Sequence, residues 1–130
     1  MSETVLWWLR RDLRLADNDA LAAALAGGRR VVPVFVLDPA LLDGPASSPT
    51  RTAFLLGGLR TLDADLRARG SRLVLRRGRP AAALRELVTE TGATAIFAEE
   101  DHSPYATARD DDVARHLPLR FAGSAAVRPP

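Results

Sequence analysis

The chain is 130 residues long, a size at which one domain forms and hides about two-thirds of the surface of the unfolded chain. Its composition is 47% hydrophobic and 26% charged, which excludes a disordered, collagen-like or solenoid protein. The absence of cysteine excludes a disulfide framework, zinc ribbons, iron–sulfur clusters and cysteine nucleophiles. A formal net charge of +2 is too small for general attraction to nucleic acid.

The sequence contains no segment that predicts a membrane span or export. No apolar run approaches the roughly 20 residues that a spanning helix requires. The N-terminus carries an acidic residue and reaches Arg10 after a short apolar run, which is not the pattern of a signal peptide. We therefore expect a soluble protein of the cytoplasm.

The first elements in chain order are a strand, a helix and a second strand. Residues 5–9 form a short apolar run rich in β-formers, which predicts a buried strand. Asp17 is the expected N-cap of a helix that stops at Gly27-Gly28. The nearly continuous apolar run over 31–37 predicts a strand covered on both faces. Its Pro33 lacks a backbone donor, so it must lie at the start of the strand or on a locally unpaired side.

A connection of about a dozen residues follows, and then a long helix. Residues 38–49 are dense in Pro, Gly, Ser and Asp, and ordered loops of this length often carry function. Ser48 and Pro49 are a cap and a first-turn proline, and leucines then repeat at helical spacing until Gly70. A short third strand is expected within 72–77.

The rest of the chain continues the alternation. It predicts a helix, a strand, a second helix and a last short strand, over 80–92, 94–98, 104–117 and 119–121. This order favours parallel strands joined by right-handed crossovers. We therefore expect an α/β fold with a doubly wound, Rossmann-like parallel sheet of about five strands and helices on both faces. Ligands of such sheets bind beyond the carboxyl ends of the strands, here 10–14, 38 onward and 99–103.

The charged residues at these strand ends do not define a catalytic set. No glycine-rich phosphate loop occurs in the sequence. The run Arg10-Arg11-Asp12-Leu13-Arg14 fits either a ligand or docking contact or a self-neutralising group of ion pairs. Consecutive side chains from Glu99 to Asp101 leave a strand in alternating directions, which does not favour a metal site. His102 and His116 are expected at the surface, and Asp110 to Asp112 on the solvated face of a helix.

Two adjacent tryptophans lie in the first strand. Neighbouring side chains in a strand point to opposite faces, so Trp7 and Trp8 are expected on opposite sides of the sheet. Core packing is the favoured role for both, although an aromatic ring at the ligand edge can also stack on a flat chromophore.

The stretch LWWLRRDLRLADNDAL, residues 6–21, closely resembles the opening of DNA photolyases and cryptochromes. The resemblance continues through 35–39, 48–51, 70–73 and 108–110 and covers nearly the whole chain. It implies that residues 1–122 are the N-terminal α/β domain of that family and that 123–130 begin the linker to a second domain. The family role of Arg10, Arg11, Asp12 and Arg14 is then structural, at the domain boundary.

The resemblance implies a protein of two parts, of which this chain is one. The second is a larger helical domain that binds the catalytic FAD and, in photolyases, the pyrimidine dimer. DNA contact is expected only through that domain, so the 130-residue segment alone is not expected to be catalytic. In the family, the α/β domain commonly holds an antenna chromophore that absorbs light and passes the excitation energy to the flavin.

The resemblance also gives a candidate chromophore site. Its residues match the antenna pocket of similar proteins, and they are Phe35, Leu37, Asp38, Arg51, Leu55 and Asp101. A deazaflavin or a flavin of the FMN or FAD type suits such a pocket. Ser103 stands where deazaflavin-binding members tend to have glutamate, which counts against a deazaflavin. Tyr105-Ala106 stand where the folate branch tends to have Asn-Glu, so folate is favoured still less. No metal ligand and no catalytic residue are assigned.

Three interpretations follow from the sequence. The first is the antenna-binding domain of a deoxyribodipyrimidine photolyase, which repairs ultraviolet-induced pyrimidine dimers with light. The second is the same domain of a cryptochrome photoreceptor, and the third is a stand-alone α/β nucleotide-binding module. The first two predict an exposed apolar surface where a helical domain packs.

Overall fold

The computed structural model describes residues 3–10, 15, 18–39 and 48–122. Within these ranges strands alternate with helices, in the order β1 (Thr4–Leu9), α1 (Asp19–Leu25), β2 (Arg30–Leu37), α2 (Pro49–Ala68), β3 (Val74–Arg77), α3 (Pro80–Thr91), β4 (Ile96–Glu99), α4 (Pro104–Ala114) and β5 (Leu119–Ala122). A 3₁₀ turn, Ala26–Gly28, connects α1 to β2.

The described strands form one parallel sheet in the order β3-β2-β1-β4-β5. The chain builds outward from β1 through β2 to β3, and then returns to the other side of β1 to add β4 and β5. This is the doubly wound topology that the alternation of elements predicted. The direction of winding reverses beside β1, so the carboxyl ends of β1 and its neighbours form the crevice where such sheets bind ligands.

Helices cover both faces of the sheet, and each face has its own core. On one face α1 and α2 pack over residues that include Val5, Trp7 and Phe97. On the other face α3 and α4 pack over residues that include Leu6 and Trp8. Both tryptophans are buried on opposite sides of the sheet, as the alternation of side chains along a strand predicted.

Hydroxyl and amide side chains begin three of the helices. Ser48 Oγ accepts from the backbone N–H of Arg51, and Ser103 Oγ accepts from that of Ala106, as expected for Ser-Pro starts. The cap of α1 differs from the prediction. Asn18, not Asp17, holds that position, because the Asn18 side chain accepts from the N–H of Leu21 at 2.9 Å.

Pro33 lies inside β2 and costs no ladder hydrogen bond. The N–H of Arg30 donates to Glu3 in the chain leading into β1, whereas the carbonyl of Leu37 accepts from Gly78 on the β3 side. Since successive residues of a parallel strand bond to alternate neighbours, the nitrogen of Pro33 faces the β3 side. The pairing of β3 with β2 begins only at Val34. The second of the two alternatives, a locally unpaired side, is therefore confirmed.

Candidate functional site

A cavity of about 330 Å³ opens at the carboxyl ends of β1 and β2, next to the beginning of α4. Aromatic and aliphatic side chains form much of its wall, and two carboxylates and two guanidinium groups complete it. The lining residues are Trp8, Leu9, Arg10, Phe35, Val36, Asp38, Pro80, Asp101, Ser103, Pro104, Tyr105 and Arg109. The position is the crevice that the fold predicts for a ligand.

The structure brings three of the six candidate residues together. Phe35 is buried near the end of β2, and Asp38 follows that strand directly. Asp101 follows β4, and its Oδ1 accepts from the backbone N–H of Ser103 at 3.0 Å, which holds the start of α4 against the strand end. These three side chains line the cavity.

The other three candidates lie on the α2 side of the sheet. Leu37 and Leu55 are partly buried against the core beneath α1 and α2. Arg51 is an exposed residue in the first turn of α2, where its backbone N–H donates to Ser48. Among the described residues, none of these three contributes to the wall of the 330 Å³ cavity.

A buried ion cluster adjoins the cavity, and its two arginines line the cavity wall. Asp110 Oδ1 accepts from Arg10 Nη1 at 2.6 Å and from Arg109 Nε at 2.9 Å. Both arginines stack on Trp8, with guanidinium carbons 4.9 and 5.1 Å from its ring centroid. Arg10 also donates to the carbonyl of Glu99, which connects β1 to the end of β4. The cluster thus joins the central strand to α4.

This arrangement corrects one expectation. Asp110 was expected on a solvated helix face, and this is wrong, because the residue is 5% exposed and bonds two arginines. Its neighbour Asp111 is exposed, and Asp112 pairs at the surface with Arg79. Of the charged run that follows β1, Arg10 forms a structural ion pair, and residues 11–14 lie outside the described residues.

Tyr105 lies in the cavity wall beside Asp38, the residue that follows β2. Its hydroxyl donates to the carboxylate of Asp38, and Arg109 stacks on its ring at 5.4 Å. Burial raises the pKa of the Tyr105 hydroxyl above its ordinary value of 10.0, and the neighbouring Asp38 carboxylate raises this pKa further. The tyrosine therefore remains a neutral hydrogen-bond donor at physiological pH.

Sequence reasoning did not assign Trp8, Tyr105 or Arg109 to the site. Their proximity depends on packing between β1 and α4, about 100 residues apart in the chain. A local signal exists, because Tyr105 and Arg109 are four apart and therefore share a face of a predicted helix.

The described residues 3–10, 15, 18–39 and 48–122 contain no candidate metal site. No group of three His, Asp or Glu side chains in these ranges could hold a metal ion. His102 and His116 are exposed, as expected. None of the described helices is long and apolar enough to span a bilayer.

Comparisons with known proteins identify the fold and the sequence family. The chain is 39% identical over 128 residues to a deoxyribodipyrimidine photo-lyase of Synechococcus sp., covering 98% of this chain and 26% of that protein. It is 36% identical over 120 residues to a cryptochrome DASH of Natronomonas pharaonis, covering 88% of this chain and 25% of the other.

A solved photolyase structure has the same fold as this chain. The archaeal photolyase from Sulfolobus tokodaii, whose crystal structure contains two FAD molecules, superposes with a TM-score of 0.79 at 33% identity, over 91% of this chain and 28% of the other. The chain thus spans about a quarter of the length of the relatives it matches. Residues 5–125 match the DNA photolyase family model. The fold, the relatives and the family model agree, and the chain belongs to the DNA photolyase family.

Proposed function

We propose that this chain is the antenna-binding α/β domain of a deoxyribodipyrimidine photolyase and that the 330 Å³ cavity holds a planar, flavin-type chromophore. The carrying observation is the position of the cavity at the switch point of the sheet, with aromatic walls and a few convergent polar groups. Its volume lies at the lower end of the range of about 300–1,000 Å³ that is typical of small-molecule sites.

The residues present fit such a ring. Trp8 and Phe35 supply apolar surface, and the carboxylates of Asp38 and Asp101 can accept hydrogen bonds from ring or side-chain donors. When bound, the chromophore absorbs light and transfers the excitation energy, so the domain has only to bind and orient it. Leu37, Arg51 and Leu55 stay predictions that rest on the family resemblance. A deazaflavin or an FMN- or FAD-type flavin is proposed in preference to folate.

The Sulfolobus tokodaii photolyase favours a flavin in this role. Its crystal structure holds two FAD molecules and implies a novel light-harvesting cofactor in that protein. By analogy, we propose that one flavin of the parent protein lies in this domain and that the catalytic FAD lies in a helical domain outside the 130 residues. DNA binding and repair would then belong to that second domain, as would any signalling role in a cryptochrome. The cytoplasmic location also stays a prediction.

The surface of α2 supports the presence of such a partner domain. Phe54 is 85% exposed, and Leu56 in the same helix is also exposed. Large exposed apolar side chains often mark interaction surfaces. Since the relatives are about four times longer than this chain, we propose that the remainder of the parent protein covers this part of α2. Amide hydrogen exchange in α2 should be slower in the full-length protein than in the 130-residue chain; equal rates would contradict the contact.

Titration of the 130-residue chain with riboflavin tests the antenna site. We expect one molecule to bind per chain, with quenching of flavin fluorescence, because Trp8 and Tyr105 line the cavity. Pro104 lines the cavity from the exposed first turn of α4, so Pro104→Trp should obstruct the cavity and abolish binding. Thr89→Trp, on the exposed face of α3, should not. Absence of binding by the wild-type chain to riboflavin, FMN and FAD would refute the proposed site.

A further inference from the structure

Arg109 is a buried residue, and one of its side-chain donors has no acceptor among the described residues. Its side chain is 10% exposed, its Nε bonds Asp110, and its guanidinium lies over the rings of Trp8 and Tyr105. The same side chain lines the cavity. Among the residues that the structure describes, no acceptor makes a hydrogen bond with Arg109 Nη2, which is itself buried. The nearby Tyr105 hydroxyl interacts with the Arg109 side chain, and it donates its own proton to Asp38.

A buried guanidinium nitrogen without an acceptor is costly. Leaving such a donor unpaired opposes folding, and the cost is greater for a charged group than for a neutral one. The packing of Arg109 against two rings and Asp110 fixes the guanidinium, so the side chain cannot simply turn to solvent. The geometry therefore indicates an acceptor supplied from inside the cavity, by a ligand or by water.

The charges around the cavity discriminate between two kinds of ligand acceptor. Two arginines line it, and they are balanced by the lining carboxylates of Asp38 and Asp101 and by Asp110, which bonds both arginines. A phosphate dianion would enter next to two carboxylates, with its attraction to Arg109 already offset by Asp110. A neutral ring carbonyl has no such repulsion and is a good partner for an N–H donor. The carboxylates meanwhile can accept from ring N–H or hydroxyl groups.

We propose that Arg109 is a specificity-determining residue of this site: its Nη2 donates to a ring carbonyl oxygen of the planar heteroaromatic ligand, and no phosphate group is needed for binding. This inference rests on the proposed function, since it names the part of the chromophore that the cavity recognises. Arg109 is not one of the six candidate residues, so the proposal adds a binding residue to that set.

The test compares riboflavin binding by the wild-type chain and two matched variants. Arg109→Lys keeps a positive charge beside Asp110 and removes the guanidinium fork, and we expect it to weaken riboflavin binding about ten-fold or more. Arg79→Lys makes the same change at an exposed residue that pairs with Asp112 of α4, and riboflavin affinity should stay within about two-fold of wild type. Unchanged affinity in Arg109→Lys would overturn the proposal.

A change in the ligand gives a second readout that does not depend on the stability of a variant. Riboflavin analogues with sulfur in place of the C2 or the C4 carbonyl oxygen are weaker acceptors. One of the two should bind the wild-type chain about ten-fold more weakly than riboflavin, and Arg109→Lys should remove this difference. If both analogues bind the wild-type chain as tightly as riboflavin, the ring carbonyl is not recognised, and water or another group satisfies Arg109.

FMN distinguishes the ring from the phosphate. We expect FMN and riboflavin to bind the wild-type chain within about three-fold of each other. FMN binding that is much tighter than riboflavin binding, with the advantage lost in Arg109→Lys, would place the phosphate on Arg109 and overturn the proposal. If neither flavin binds the wild-type chain, the proposed antenna site fails and this inference with it, whereas binding that is insensitive to Arg109 refutes only the inference.

Discussion

At the scale of single residues, the most consequential contact is the buried carboxylate shared by two arginines. Asp110 bonds Arg10 and Arg109, which both line the cavity. Taking three charged groups out of water is expensive, so the cluster is stable only while it is complete. The cluster holds the two guanidinium groups that line the cavity in place, and it connects β1 to α4.

Removing the central carboxylate should therefore be strongly destabilising. Asp110→Asn leaves two buried arginines short of a counter-charge, and we expect the free energy of unfolding to fall by about 3–5 kcal/mol. Urea denaturation of the purified chain measures this change. The control is Asp112→Asn, two positions along α4, which disrupts a pair with the exposed Arg79 and should cost about 1 kcal/mol or less. Equal losses in the two variants would contradict the structural role of Asp110.

Tyr105 supplies a second residue-scale prediction, because it is the one tyrosine in the sequence. Its pKa in the folded chain is raised above 10.0, chiefly by burial and further by Asp38. The associated stability is fully present below pH 10 and is lost as the pH rises through the folded-state pKa. The unfolding free energy of wild type should therefore fall above about pH 10, and that part of the fall should be missing in Tyr105→Phe.

The ionisation of Tyr105 can be followed directly by the ultraviolet absorbance of tyrosinate. Replacing Asp38 by Asn removes the neighbouring charge while keeping a polar side chain, so the tyrosine should ionise at lower pH than in wild type. A titration midpoint unchanged by this substitution would show that Asp38 does not act on the tyrosine.

At the scale of secondary structure, the long helix α2 has two parts with different surroundings. Leu59, Leu62 and Leu66 are buried against the sheet. Phe54, nearer the beginning of the helix, is 85% exposed. Leu62→Ala should lower the free energy of unfolding by about 2–5 kcal/mol, since it removes buried methyl groups and leaves a cavity. Phe54→Ser should change it by about 0.5 kcal/mol or less. Thermal or urea unfolding of both variants checks the contrast.

The elements themselves could be predicted closely, and the reason is local. Ser-Pro pairs, glycines at helix ends and continuous apolar runs act through short-range physics, so the starts of α2 and α4 and the sheet strands follow from the sequence. The error at α1 is of the same kind. Adjacent Asp17 and Asn18 are both good caps, and the sequence does not distinguish which backbone N–H each one meets.

The site could be predicted less well, because it is made by contacts between distant segments. Asp38 and Asp101 were candidates because the resemblance matches them to the antenna pocket of the family. Both also follow strands, at the edge where a doubly wound sheet binds ligands. Arg109 and Asp110 belong to a charged run that is typical of a wet helix surface. Only the packing of α4 on Trp8 buries them, and no local pattern encodes that contact. The role of the Arg51 side chain in binding a chromophore stays a prediction.

At the scale of the whole molecule, the two cores share a single sheet and should unfold together. Trp7 reports on the face covered by α1 and α2, and Trp8 on the face covered by α3 and α4. In Trp7→Phe and Trp8→Phe, each with one remaining tryptophan, fluorescence and far-ultraviolet circular dichroism should give coincident urea transitions. Separate transitions in either variant would show that one layer of helices is lost before the other.

The strand order has a consequence for synthesis on the ribosome. The central strand β1 is translated first, and one of its neighbours, β4, comes some 90 residues later. A nascent chain can complete β1, β2 and β3 while the opposite edge of β1, with its apolar side chains, still awaits a partner. Such an unpaired edge invites association with other chains. For this domain, the interval between the emergence of β3 and that of β4 is therefore the stage at which a chaperone matters most.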